Sequence, residues 1–141
     1  MSKPLFEKAA LLGVGLIGSS MAHAMRRGGL AGHIAGYARR PETQEAAKKV
    51  GFADSIYGDA VSAARDADLV VLATPVGAFG ALAKEISSVL KPGAIVTDVG
   101  SVKTAVVRDV GPHIPQGVHF IPAYPIACTE QSGPEAGFAE L

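Results

Sequence analysis

The apolar run Ala9–Leu12 leads directly into Gly13-Val-Gly15-Leu-Ile-Gly18, and from Leu16 to Arg27 apolar residues recur at helical spacing until Gly28-Gly29 stops them. A buried strand, a G-x-G-x-x-G turn and a helix in immediate succession leave few folds open. Each glycine has its own reason to be there. Gly13 permits a tight turn out of the strand. Gly15 lets the backbone come close to a pyrophosphate, and Gly18 lets the helix lie against the sheet. The first helical residues, Leu16 and Ile17, then present N–H groups with no intrahelical partner to phosphate oxygens. A tight turn that binds nothing would use the same glycines, but the placement after a strand and before a helix favours a dinucleotide site.

The rest of the chain repeats this alternation. The sequence predicts strands over His33–Tyr37, Asp68–Ala73, Ala94–Thr97 and Val118–Ile121. It predicts helices over Pro41–Val50, Asp59–Arg65, Gly77–Leu90 and Val102–Val110, with a further helix beginning at Glu135 and reaching Leu141. The Leu-Val-Val-Leu stretch inside Asp68–Ala73 is of the kind buried on both faces of a parallel sheet. Pro41 opens its helix, Glu42 and Glu45 come early, and Lys48 and Lys49 come late, an order that suits the helix dipole. Alternating strands and helices imply an α/β fold, a doubly wound parallel sheet of the Rossmann type. The expected strand order is 3-2-1-4-5-6, with a cofactor across the carboxyl edge.

Composition narrows the function classes. Lys and Arg number 13 and Asp and Glu also 13, so the net charge is zero and neither nucleic acid nor an anionic membrane is an expected partner. There is no long apolar run, so no membrane span is expected, and Met1 to Lys8 carries no signal-peptide pattern. A single cysteine, Cys128, excludes an internal disulfide and points to a reducing, cytoplasmic setting. No cluster suggests a metal.

About 20 residues beyond the fingerprint a carboxylate ordinarily binds the ribose of NAD. Here the second strand ends in Tyr37-Ala38-Arg39-Arg40. Ala38 in place of an acid, followed by two guanidinium groups, suits a 2′-phosphate and favours NADP over NAD. Thr74-Pro75 ends a later strand at the same sheet edge, where an ordinary strand-to-helix turn is the competing reading.

Beyond the fingerprint, several stretches resemble the prephenate and arogenate dehydrogenases of tyrosine biosynthesis. They are Leu72-Ala-Thr-Pro-Val-Gly77, Thr97-Asp-Val-Gly-Ser-Val-Lys103 and Pro125-Ile-Ala-Cys-Thr-Glu-Gln-Ser-Gly-Pro-Glu-Ala-Gly137, with Gly15-Leu-Ile-Gly18. The likeness covers nearly all of residues 1–141 and corresponds to the family's N-terminal cofactor domain. The family's second, mostly helical domain, which dimerises and completes the substrate pocket, has no counterpart in the chain. The resemblance implies oxidative decarboxylation of prephenate or arogenate, in which hydride leaves the ring carbon bearing the hydroxyl, a base takes the hydroxyl proton, and loss of CO₂ aromatises the ring.

The same resemblance assigns Ser101 to the substrate hydroxyl and the nicotinamide, and Glu130 to a gating role with an arginine of the second domain. As a plain structural residue, Ser101 would cap the helix that follows. The family's base is a histidine before Pro-Ile-Ala. Tyr124 stands there, and Ala123 and Cys128 replace usual glycines. A phenol, with a reference pKa of about 10, is a poor proton acceptor near neutrality. His113 and His119 match no motif and read as structural or surface residues, and Cys128 as an inert small residue. Two alternatives stand beside the dehydrogenase reading. One is another two-domain dehydrogenase or imine reductase, against which the Pro125–Gly137 stretch argues. The other is a non-catalytic dinucleotide-binding module.

Overall fold

Leu69–Leu72 is buried at every position, and it forms one of the two central strands of the sheet. The computed structural model describes residues 3–127 and 129–141, so Cys128 lies outside it. Six parallel strands alternate with helices along the chain. They are β1 (Phe6–Leu12), α1 (Leu16–Gly28), β2 (Ala31–Tyr37), α2 (Pro41–Val50), β3 (Ser55–Tyr57), α3 (Ala60–Ala64), β4 (Leu69–Leu72), α4 (Phe79–Ile86), β5 (Ile95–Asp98), α5 (Lys103–Val110) and β6 (His119–Ile121). The sheet order is β3-β2-β1-β4-β5-β6, the expected doubly wound arrangement.

Strand periodicity divides the core into two layers. Ala10 and Leu12 of β1 face Val70 and Leu72 on the side covered by α3, α4 and α5, packing with Ala60, Ala63, Phe79, Ile86, Val106 and Val110. Ala9 and Leu11 point the other way. With Val71 and Ile34 they pack against Ala22 and Met25 of α1 and Ala47 of α2. Neighbouring residues of one strand thus serve opposite layers, as a period of two requires.

The structure departs from the sequence expectations in four places. A strand at Ser55–Tyr57 was not foreseen. It is three residues long and pairs only with β2, at the edge. The helix expected over Gly77–Leu90 is split, with 3₁₀ turns at Val76–Ala78 and Ser87–Val89 flanking α4. The helix expected from Glu135 to Leu141 is absent. A single 3₁₀ turn, Pro134–Ala136, is followed by extended Gly137. A Cβ on Gly137 would lie 2.0 Å from Ser19 Oγ, and the Phe138 N–H donates to Ser20 Oγ at 3.1 Å. Docking on α1 therefore takes the Phe138 N–H that a helix would use and packs Gly137 tightly against Ser19. Finally, Ser101 does not cap α5. The helix starts at Lys103, and its N-cap is Val102, whose side chain makes no capping hydrogen bond.

Candidate functional site

Tyr37, Leu12, Leu72 and Asp98 stand in one row across β2, β1, β4 and β5, at the carboxyl ends of the strands. The chain order reverses between β1 and β4, and in open α/β sheets a ligand crevice forms at such a point. A cleft of about 490 Å³ opens there. Gly13, Gly15, Ala38, Arg39, Arg40, Thr74 and Pro75, all expected from sequence, line it, together with Val14, Tyr37 and Thr43.

The three fingerprint glycines differ in what surrounds them. Gly13 has φ +118°, and a Cβ there would meet the Ala73 carbonyl carbon at 2.5 Å. At Gly18 a Cβ would stand 2.1 Å from the Gly13 carbonyl oxygen. Both glycines are demanded by the fold itself, since backbone cannot move aside cheaply. Gly15 is different. It is the N-cap of α1 with φ −75°, and a Cβ would find nothing within 4 Å. Its missing side chain leaves open space beside the helix N-terminus, where no side chain among the described residues caps the N–H groups. Such N–H groups are the kind that can hold an anion. Leu16 and Ile17 are the first two residues of α1, so only their backbone can serve this role; the Ile17 side chain lines a separate shallow groove with Met21 and Pro125.

At the other end of the cleft Ala38 is buried while Arg39 and Arg40 are exposed. Neither arginine forms an ion pair with another described residue. No Asp or Glu is among the described residues that line the cleft. Thr43, in the first turn of α2, was not anticipated from sequence. Its signal was its position, two residues after the Pro that starts the helix.

Ser101, Tyr124 and Glu130 do not line this cleft. All three are exposed, Tyr124 to 57%, on the β5–α5 loop and the segment after β6. His119 is exposed on β6 and His113 half-buried in a 3₁₀ turn, away from the cleft. Sequence reasoning passed over Asp98 and Lys103 in the same region. The Asp98 carboxylate is fully buried and pairs with the Lys103 ammonium. The signal was an acid ending an apolar strand, since a buried carboxylate demands a partner.

The family profile described as "Prephenate dehydrogenase, nucleotide-binding domain" matches residues 21–141. The chain belongs to the prephenate dehydrogenase family. It is 36% identical over 137 residues to the cyclohexadienyl dehydrogenase of Zymomonas mobilis, covering 97% of this chain and 46% of that protein. The structure of A. aeolicus prephenate dehydrogenase in complex with hydroxyphenyl propionate and NAD+ superposes with a TM-score of 0.83 at 34% identity, over 99% of this chain and 47% of that one. Synechocystis arogenate dehydrogenase gives 0.81 at 32%, over 92% and 45%. The chain thus spans less than half the length of each of these relatives, and its matched part is the family's nucleotide-binding domain. Among the described residues no helix is long and apolar enough to cross a membrane.

Proposed function

We propose that this chain is the cofactor-binding part of an NADP-preferring prephenate or arogenate dehydrogenase. The observation that carries the reading is the cleft at the β1–β4 reversal, lined both by Gly15, with open space beside it, and by two arginines that pair with no carboxylate among the described residues. Gly13, Gly15 and the Leu16 and Ile17 N–H groups would hold the pyrophosphate, and Thr74 and Pro75 would wall the site. Arg39, with Arg40, would hold the 2′-phosphate by charge-assisted hydrogen bonds. When bound, the nicotinamide supplies a hydride acceptor.

Family membership supports the substrate class, because relatives named for prephenate, cyclohexadienyl and arogenate dehydrogenases match nearly all of this chain. Residues 1–141 then form one Rossmann domain that acts together with a helical dimerisation and substrate domain. Ser101, Tyr124 and Glu130 belong to the substrate side. The exposed Tyr124 phenol donates a hydrogen bond to the substrate hydroxyl more readily than it takes its proton. That exposure, outside the cleft, also favours a second reading, in which the chain binds dinucleotide without catalysing turnover.

Calorimetric titration with NADP+ and NAD+ tests the preference. Arg39→Ala is expected to weaken NADP+ binding about 10-fold or more, the loss of a hydrogen bond to a charged group, and to leave NAD+ within about twofold. An equal fall for both cofactors means that Arg39 stacks or steers, and the NADP assignment fails. Prephenate- and arogenate-dependent reduction of each cofactor, measured on this chain joined to a helical substrate domain of the family, separates the two functional readings: turnover supports the dehydrogenase and its absence the binding module.

A further inference from the structure

Asp98 closes β5 at the carboxyl edge of the sheet, level with Leu72 of β4, and its side chain is fully buried. Its Oδ2 accepts hydrogen bonds from the Gly100 N–H at 2.8 Å and from Lys103 Nζ. Its Oδ1 accepts from the Ala123 N–H at 3.2 Å. Lys103 Nζ donates in turn to the Ala123 carbonyl oxygen. Both backbone polar groups of Ala123 are therefore held by the two ends of one ion pair. A Cβ on Gly100 would come within 2.9 Å of the Phe79 side chain and 3.0 Å of Val76, so those side chains would have to shift to admit one.

The partners of this pair are loops rather than core elements. One runs from Asp98 to Lys103 and carries Ser101; the other follows β6 and carries Tyr124 next to Ala123. Neither Ser101 nor Tyr124 makes a side-chain hydrogen bond among the described residues that would hold its own loop in place. A hydrogen-bonded charge pair in a buried setting has narrow geometric tolerance. It fixes the spacing of the two loops through the backbone, whatever the side chain at position 124.

We propose that Asp98 and Lys103 are positioning residues, a strap that sets the Tyr124 segment against the Ser101 loop and so shapes the nicotinamide end of the site. The proposal rests on the functional reading above, with neither residue required to touch substrate or cofactor. Under that reading the adenine and pyrophosphate would be held by the turns after β1, β2 and β4, so the strap would act on the pose of the reacting end and leave overall affinity nearly unchanged.

Three variants of the 141-residue chain test it: Lys103→Met, Lys103→Arg, and the double variant Asp98→Asn with Lys103→Met, which removes both charges should the first fail to fold. Amide hydrogen exchange and the emission of bound NADPH are read in each. The expected result in Lys103→Met, or in the double variant, is at least about 10-fold faster exchange at Ala123. Core amides such as Leu11 and Val70 keep their protection, affinity stays within about twofold, and nicotinamide emission is altered. Lys103→Arg restores both Ala123 protection and emission. Unchanged Ala123 exchange, loss of protection throughout the core of the double variant, or emission identical to that of the unmodified chain overturns the proposal. Absence of NADPH binding in the unmodified chain defeats the functional reading instead, and Ala123 exchange alone then decides the strap.

Discussion

Between Gly13 and Pro75 the carboxyl edge of the sheet is walled by buried backbone, with the β1–α1 turn pressed against Ala73 and Thr74. Between Ser101 and Glu130 the same edge is open, with Ile121 exposed to 53%, Tyr124 to 57% and Ile126 to 93%. The first region has its shape from contacts within one strand-turn-helix unit and its neighbour. The second hangs on a few hydrogen bonds, accepted by Asp98 and donated by Lys103 and by Thr97, whose hydroxyl donates to the Ile121 carbonyl oxygen at 2.6 Å. One half of the edge is thus shaped by packed backbone while the other presents side chains to solvent, and the two halves should respond to substitution in different ways.

The largest expected effect lies in the walled half. Gly18→Ala forces a Cβ to within 2.1 Å of a backbone oxygen, so α1 must shift off the sheet. Overpacking costs about 1–3 kcal/mol, and a clash with backbone belongs at the upper end. Urea unfolding should show a marked drop in the transition midpoint, or no folded protein. A Gly18→Ala chain of ordinary stability would mean that the turn is looser than the structure shows.

A smaller effect is expected at the opposite, amino edge, where Asp68 binds the Lys91 ammonium at 2.6 Å and accepts the N–H groups of Glu7 and Lys8. The hydrogen bond from Lys91 leads in holding the Asp68 carboxyl below its ordinary value of 3.8, against the opposing pull of burial. Because the folded value is depressed, the stabilisation is fully present above the unfolded value and is lost as pH falls through the folded one. Asp68→Asn should therefore lower the melting temperature by a few degrees at pH 7 and by distinctly less at about pH 3, below the unfolded value of 3.8. Equal effects at both pH values would show that the loss is one of packing. Such a control also separates acid unfolding from any pH dependence of cofactor binding.

The smallest effect is expected in the open half. Tyr124→Phe removes an exposed hydroxyl that makes no hydrogen bond among the described residues, and surface changes of this sort stay within about 0.5 kcal/mol. Denaturation should not distinguish it from the unmodified chain, and NADP+ affinity should also be unchanged. A clear loss of stability would mean that position 124 is already packed, and the contrast between the halves would fail.

The same contrast explains what could be read from sequence. The walled half is encoded locally. Leu-Val-Val-Leu announces a strand buried on both faces, and the spacing of Gly13, Gly15 and Gly18 announces the turn, with a separate physical reason for each glycine. Ala38, Arg39 and Arg40 follow from their distance along the chain. The parts that escaped are those whose reasons lie elsewhere in the fold. Ser55–Tyr57 is a strand only because β2 offers an edge to pair with. Glu135–Leu141 has a helical composition, but Gly137 and Phe138 are claimed by Ser19 and Ser20 of α1. Asp98 and Lys103 were visible as residue types. Their joint hold on Ala123 depends on where β6 delivers the chain, which no local pattern reveals.

The central claim is that the open space at Gly15 exists for a dinucleotide rather than for the fold. Gly15→Val, measured by NADP+ calorimetry and by unfolding on the same samples, addresses it most directly. Its Cβ meets nothing within 4 Å among the described residues, so stability should change by no more than about 1 kcal/mol, the scale of an N-cap substitution. Binding, in contrast, should weaken at least about 10-fold, because the added side chain occupies the place where backbone must approach the pyrophosphate. A folded Gly15→Val chain that binds NADP+ as tightly as the unmodified one would contradict the account.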